Sequence, residues 1–321
     1  MSLPANTFAT YASIGNREDL EDVIYNVAPT DTPFVSMMTE RTKATAVNHE
    51  WQTDTLDAAV TTNAVLEGDD AVTDAVTPTV RMGNICQIMD KVARVTGTQQ
   101  AIDKAGRADE MDYQLIKKGK ELKRDMEATV LANQAKNAGA AATARTLGSV
   151  LSYIYTNDNF SSAGGAASPT GQGSSSGTTA RTDGTQRAFT ESLLKTTLQS
   201  IWDSGGDPGD IMLGGYNKQV MSSFVGRGTP TEDTKSKKII ATVDVYESDF
   251  GTMKVTPNRF MRSRDVLILQ RDMWALAFLR NMKTYTLAKT GDSERKQLIV
   301  EFTVVARNEQ SSGGVFDLTT S

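Results

Sequence analysis

The chain holds one histidine and one cysteine, His49 and Cys86, so the side chains that most often do nucleophilic or acid–base work are nearly absent. A zinc site of several imidazoles is excluded, a cysteine-rich metal site likewise, and a Ser-His-Asp arrangement would have to use His49. In VNHEWQTD, alternation puts Val47, His49 and Trp51 on one side of a strand and Asn48, Glu50, Gln52 and Asp54 on the other. An imidazole on the apolar side beside a tryptophan reads as a structural or interface group rather than a general base. Glu50 and Asp54, four apart on one strand, share a face and are the pair that a carboxylate-based hydrolase could use as acid and base. Cys86 lies in an apolar strand with no second histidine to activate it, which favours a packed core residue over a nucleophile. The acidic run Glu67, Asp69, Asp70 and Asp74 lacks the EF-hand order of ligands and reads as a solvated loop tip. KTGDS, Lys289 to Ser293, contains the KTG of serine acylases without the accompanying S-x-x-K, so a β-turn explains it. The glycine-rich stretches lack the GK[ST] ending of a phosphate loop, and Trp51, Trp202 and Trp274 are too scattered to form a stacking platform for single strands. These residues predict no catalytic, cofactor or metal site.

The elements that carry these residues have an unusual layout. Residues 1–45 show a brief helical patch, Arg17 to Tyr25, followed by a run in which Pro29 and Pro33 hold the backbone extended, as in an arm. The strand around Trp51 can pair antiparallel with a second β-rich segment, Val80 to Val95. Between them EGDDAVTDAVTP is acidic and turn-rich, which gives a long hairpin with a charged, mobile tip. A two-stranded ribbon has too little core to stand alone, so this one needs a partner to lie on.

From about Arg107 to Lys136, helix formers without proline place Met111, Leu115, Leu122, Met126 and Val130 on one apolar stripe. Lys117, Lys118, Lys120, Lys123 and Arg124, mixed with Glu121, Asp125 and Glu127, read as a solvated outer face. Residues 137–147 are alanine-rich, and Ser161 to Thr185 is a Gly/Ser/Thr/Ala stretch expected as a surface loop or inserted flap. Thr190 caps a second helix, Glu191 to Trp202, and the turn SGGDPGD leads to the strand IMLGG and a helix near Asn217, a small α/β lobe. Beyond it the strands expected are Ile239 to Tyr246, Met253 to Pro257, Val266 to Leu269, Ala275 to Leu279 and Leu298 to Ala306.

With 321 residues the chain can build two lobes with their own cores plus extended appendages. A net charge of −5 is not that of a dedicated nucleic-acid binder, so any DNA contact is local and weak. The N-terminus lacks the charged start and apolar run of a signal peptide, and no stretch reaches the roughly 18 apolar residues of a membrane span. A single cysteine excludes an intrachain disulfide and fits folding in a reducing cytoplasm.

The succession NREDLEDVIYNVAPTDTPF, HEWQTDTL, EGDDA, VTGTQ, ELKRDME, SDFG, LAKTGDS and NEQSSGGVFDL resembles the major capsid proteins of tailed phages with the Hong Kong 97-like fold. It spans residues 16–320 apart from the Gly/Ser-rich stretch. The resemblance implies an α+β chain with an N-terminal arm (1–45), an extended loop lying across a neighbouring subunit (46–98) and a peripheral domain with a spine helix and the Gly/Ser-rich loop (99–187). An axial domain (188–255) and a return to the peripheral sheet (256–321) would complete it. It further implies a non-enzymatic subunit without cofactor, forming hexamers and pentamers of an icosahedral or elongated shell around double-stranded DNA. The shell would be assembled in the host bacterial cytoplasm and end in the virion. The expected partners are other copies, a portal, a decoration protein and a separate scaffolding protein or none, because the segment before Asn16 is short. Pro29, Thr30 and Pro33 of the arm and Glu50, Trp51 and Asp54 of the loop strand are the expected intersubunit contacts. Lys235, Lys237 and Lys238 are expected in a solvated loop rather than on DNA. Two other classes stay open on the residues alone: a different self-assembling component, such as a tail tube or surface-layer protein, and the carboxylate-based hydrolase.

Overall fold

The computed structural model describes residues 31–224 and 244–320 apart from Thr39, Val72, Ala105, Arg107, Gln172 and Ser174. The expected helix at 17–25, Pro29, Thr30, Lys235, Lys237 and Lys238 lie outside the described residues, as does most of the strand expected at 239–246.

Two sheets organise the chain. The first has four strands, with β1 (Arg41–Lys43), β10 (Trp274–Thr286), β11 (Ser293–Ala306) and β4 (Gln87–Thr96) side by side in that order. Its centre is the β10–β11 hairpin, longer than the alternation suggested, which turns through the KTGDS segment with Gly291 at φ +81°. Across it, after the short helix α2 (Gly97–Ala101), lies α3 (Glu110–Val130), whose stripe Leu122, Met126 and Val130 packs with Leu298, Val300 and Phe302 of β11. Asp109 caps this helix by accepting the Asp112 N–H at 2.9 Å.

The helix has 21 residues, shorter than the expected span to Lys136. Its C-terminal extension consists of good helix formers, but tertiary partners claim them. Asn133 donates to the Arg181 carbonyl at 2.7 Å and accepts the Arg181 N–H at 3.0 Å, while Gln134 Nε2 donates to the Leu147 carbonyl at 2.8 Å. Glu127, expected on the solvated face, is fully buried.

The second sheet has six strands in the order β5 (Asp158–Asn159), β12 (Gly313–Val315), β9 (Val266–Leu269), β6 (Asp210–Leu213), β8 (Gly251–Pro257) and β7 (Val245–Ser248). Its middle strands are apolar on both faces because each face borders a different core. Met212, Leu267 and Leu269 enter the core shared with α3, whereas Ile211, Leu213, Val266 and Ile268 enter a second core with α4 (Glu191–Asp203) and α5 (Gly215–Ser222). Thr190 caps α4 through the Leu193 N–H, as its position before the helix predicts.

Three expectations need correction. Residues 31–44 are not wholly an extended arm: Pro33 opens the short helix α1 (Pro33–Met37), and Phe34, Val35 and Met38 are buried in the first core. Proline suits the first helical position because its missing N–H is unpaired there anyway. The segment Val80 to Val95 is not one strand of a ribbon. β3 (Val80–Ile85) pairs antiparallel with β2 (Asn48–Thr53), but at Cys86 the chain crosses over and β4 joins β11. The switch is pinned by Cys86 N–H to the Val47 carbonyl, 2.7 Å, and by the Asn84 side chain. The Gly/Ser-rich stretch has no helix or long strand, yet it is no free flap, since Ser176 and Arg181 are buried and Gly177 closes over Tyr153. Gly177 has φ +73°, and a Cβ there would stand 2.7 Å from the Tyr153 ring, so only glycine fits.

Candidate assembly surfaces

The β2–β3 ribbon is rooted in its own subunit by a small polar network. Asn84, fully buried, donates to the carbonyls of Gly148 (2.9 Å) and Val304 (2.8 Å) and accepts the Gly148 N–H at 2.7 Å. Tyr153 Oη and Lys136 Nζ both donate to the Gly83 carbonyl, at 3.1 and 2.7 Å. Trp51, half-buried, lies between His49 (ring centroids 6.2 Å) and Tyr153 (6.1 Å) in tilted contacts, and its indole Nε1 is buried without a hydrogen-bond partner among the described residues. Glu50 pairs with Arg81 across the ribbon and accepts from Asn48 at 2.9 Å. Burial holds the His49 imidazole below its ordinary pKa, so it favours the neutral form.

The hydrolase reading loses its geometry here. β2 ends at Thr53, leaving exposed Asp54 beyond the strand, while the Glu50 carboxylate is engaged by a guanidinium. Cys86 is buried, and desolvation, reinforced by Glu301 and opposed by Arg145, pushes its thiol up to about 11. A thiol in that state is a packing group. Of the expected contact residues, the structure places Glu50 and Trp51 on opposite faces of β2, Asp54 just past it and Pro33 at the start of α1.

Beyond the root, the described residues of 54–79 form no helix or strand, and apolar side chains among them are uncovered: Leu56 is 99% exposed, Val65 86%, Leu66 79% and Val76 93%. Isolated exposed leucines are ordinary, but this many on one segment is an uncommon density of uncovered apolar surface. A second exposed apolar group lies on the other lobe, where Trp202, 57% exposed, stands 5.5 Å from the Phe250 ring.

Two buried polar sites hold the framework, and sequence reasoning missed both. Glu127 accepts the N–H groups of Phe34 (2.7 Å) and Val35 (2.8 Å) and the Asn258 amide (2.6 Å), tying α1 and the end of β8 to the spine. Burial raises its pKa against the pull of those donors. Where the two cores meet, Arg181 lies with its guanidinium 3.6 Å from the Phe316 ring centroid and bonds to Asp158 at 2.8 Å. Asp317, in the left-handed region at φ 59°, accepts from Arg264 (2.8 Å) and Gly184 N–H (2.8 Å), and Asp183 pairs with Arg262 and Arg264. Asp265, fully buried with Arg262 at 3.3 Å, has its carboxyl pushed up to about 7 by desolvation. No group of three or more His, Cys, Asp or Glu among the described residues is arranged to hold a metal ion.

This combination of ribbon, spine and double-faced sheet has counterparts of known kind. Residues 4–319 match the family model described as SU10 major capsid protein. The chain belongs to the SU10 major capsid protein family. The major capsid protein of Escherichia phage Phieco32 is 29% identical over 343 residues, covering 96% of each chain. Among solved structures, the cyanophage A-1(L) capsid asymmetric unit superposes with a TM-score of 0.66 at 11% identity, covering 97% of this chain and 98% of that one. The capsid of a native GTA particle gives 0.64 at 9%, covering 98% and 100%, and the phage G major capsid protein, solved with its decoration proteins, gives 0.51 at 10%, covering 99% and 100%. The fold is therefore the Hong Kong 97-like α+β fold of phage capsid chains. Among the described residues no helix is long and apolar enough to cross a membrane.

Proposed function

We propose that this capsid-family chain builds the head shell of a tailed double-stranded DNA phage by associating into hexamers and pentamers, icosahedral or elongated, and that it has no catalytic activity. The observation that carries this is the ribbon tip, whose apolar side chains have no cover among the described residues and gain it when each copy lies on the next. Head-to-tail contacts of that kind close into rings around an axis, and many modest interfaces then hold collectively. Within this reading Pro29, Thr30, Pro33, Glu50, Trp51 and Asp54 contribute to contacts between copies; Glu50 and Asp54 are exposed on and just past the ribbon strand, and Trp51 keeps part of its ring uncovered. The division into arm (1–45), extended loop (46–98), peripheral (99–187 and 256–321) and axial (188–255) parts belongs to the same proposal. A portal, a decoration protein and a separate scaffolding protein or none are the expected partners, and the acidic balance of −5 allows only weak, non-specific contact with packaged DNA.

The test is expression of the chain, with size-exclusion chromatography and negative-stain microscopy of the product. Polyhedral shells or ring-shaped capsomers are expected. Tubes, flat sheets or a monomer at high concentration would refute the reading.

A further inference from the structure

The spine helix α3 is electrically balanced in sequence, five basic residues against five acidic ones, but not in the folded chain. Glu127 and Glu110 are buried, the first on the α1 N–H groups and the second on the Gln114 amide at 2.8 Å. Asp112 sits in the first turn, beside the positive end of the helix. Asp125 is engaged by Lys91 of β4 at 2.6 Å, and Glu121 by Lys118 at 2.7 Å. Of the bases, Arg124 is turned over the Phe260 ring, 5.5 Å from its centroid. Lys117, Lys120 and Lys123 remain, all exposed and in no ion pair among the described residues. Lys117 shares only the outer field of Glu121, and no exposed acid lies three or four residues from Lys120 or Lys123.

Placed three apart, these lysines step about 4.5 Å along the axis and about 60° around it at each interval, so they form one oblique row about 9 Å long. A DNA duplex carries one phosphate charge per about 1.7 Å of its axis, so several phosphates pass over a row of that length and each ammonium can reach one. Lysine is a compact charge on a flexible stem, which contacts phosphates without reading base edges. A protein partner is the poorer fit. Such interfaces are depleted in lysine and built on buried apolar or aromatic anchors, and Ile116 is the one large apolar side chain that α3 exposes. We propose that the row Lys117, Lys120 and Lys123 lies on the inner wall of the shell and holds phosphates of the enclosed duplex DNA. The spine then faces inward, and the opposite face of the four-stranded sheet, where β4 exposes Ile88, Asp90 and Val92, faces outward. The proposal rests on the shell-subunit reading and adds to it the wall that DNA touches. Each contact is weak and screened beyond about 8 Å at physiological salt, and its effect comes from repetition over every copy.

The experiment compares lysine reactivity in DNA-filled heads with that in shells emptied of DNA, using a small acetylating reagent and peptide mass mapping. Lys117, Lys120 and Lys123 are expected to lose reactivity in filled heads and regain it in emptied ones. A second measurement uses the unassembled full-length chain and a short DNA duplex. Combining Lys117→Gln, Lys120→Gln and Lys123→Gln should make the slope of log K against log salt shallower by about 2.7, or about 0.9 per lysine, whereas arginine at the same three positions should keep it. Equal reactivity in filled and emptied shells overturns the assignment, because the row then meets no DNA. Protection in both overturns it too, because a protein segment then covers the row, and so does an unchanged slope in the glutamine variant. In each of these cases the shell reading survives. Absence of any shell removes both.

Discussion

Replacing Glu127 by alanine tests whether one buried carboxylate fastens the segment at 33–44 to the spine. The side chain is fully buried and accepts three donors between 2.6 and 2.8 Å, two from the first turn of α1 and one from Asn258. Removing it orphans three buried donors at about 1–3 kcal/mol each, from which the relief of a desolvated charge must be subtracted. The net expectation is about 3–5 kcal/mol, the usual cost of stripping one partner from a buried charged cluster. At about 2–4 °C per kcal/mol, this lowers the melting temperature by roughly 10 °C. Glutamine keeps one acceptor but turns an amide N–H₂ toward an N–H donor, so it should recover less than half of the loss. The assay is thermal and urea unfolding of the soluble subunit with limited proteolysis of residues 33–44, which should be cut faster in the variant. A double-mutant cycle with Asn258→Ala should show coupling, since the two side chains bond directly at 2.6 Å. An alanine variant within about 1 kcal/mol of wild type, with the segment still protected, would refute the reasoning.

Asp265 predicts a pH dependence. Its carboxyl titrates near 7 when folded against an ordinary 3.8, so the folded state binds the proton more tightly and wild type gains stability as pH falls through 7. Between pH 8 and 5.5 the gain is at most about 2 kcal/mol, and Asp265→Asn should flatten it, as read from urea midpoints at the two pH values. Trp51→Ala should cost the subunit about 2 kcal/mol, because the ring is only half-buried, yet cut particle yield severely; wild-type numbers of full heads would contradict its role between copies. Asn84→Ala removes four short bonds at the crossover from ribbon to sheet, two of them accepted from the Ile85 and Gly148 N–H groups, and should cost about 2–4 kcal/mol, with faster hydrogen exchange at Ile85 and Gly148.

Elements with private periodicity were legible in the chain. The stripe Met111 to Val130, the cap at Thr190 and the run Val266–Leu269 follow from spacing alone because their local preference agrees with their burial. What escaped depends on distant partners. β1 is three residues with no pattern of its own, and β12 is Gly-Gly-Val, which only the neighbouring strands make regular. Glu127 sits among lysines and arginines in sequence, so nothing local distinguishes it from a solvated acid until α1 lands on it. The charges around Arg181 come from positions 158 to 317, and only the topology gathers them. The ribbon's need for cover was readable, since a coreless strand pair announces that much, whereas the open edge of β10 beyond Phe278 shows only once the strands are paired.

The four-residue strand β9 sends alternate side chains into the two cores, and β6 beside it does the same. A wall with furniture bolted through it from both rooms cannot be shifted in one room alone. A tilt imposed on either lobe must therefore reach the other as rigid-body rotation, and the subunit behaves as a lever.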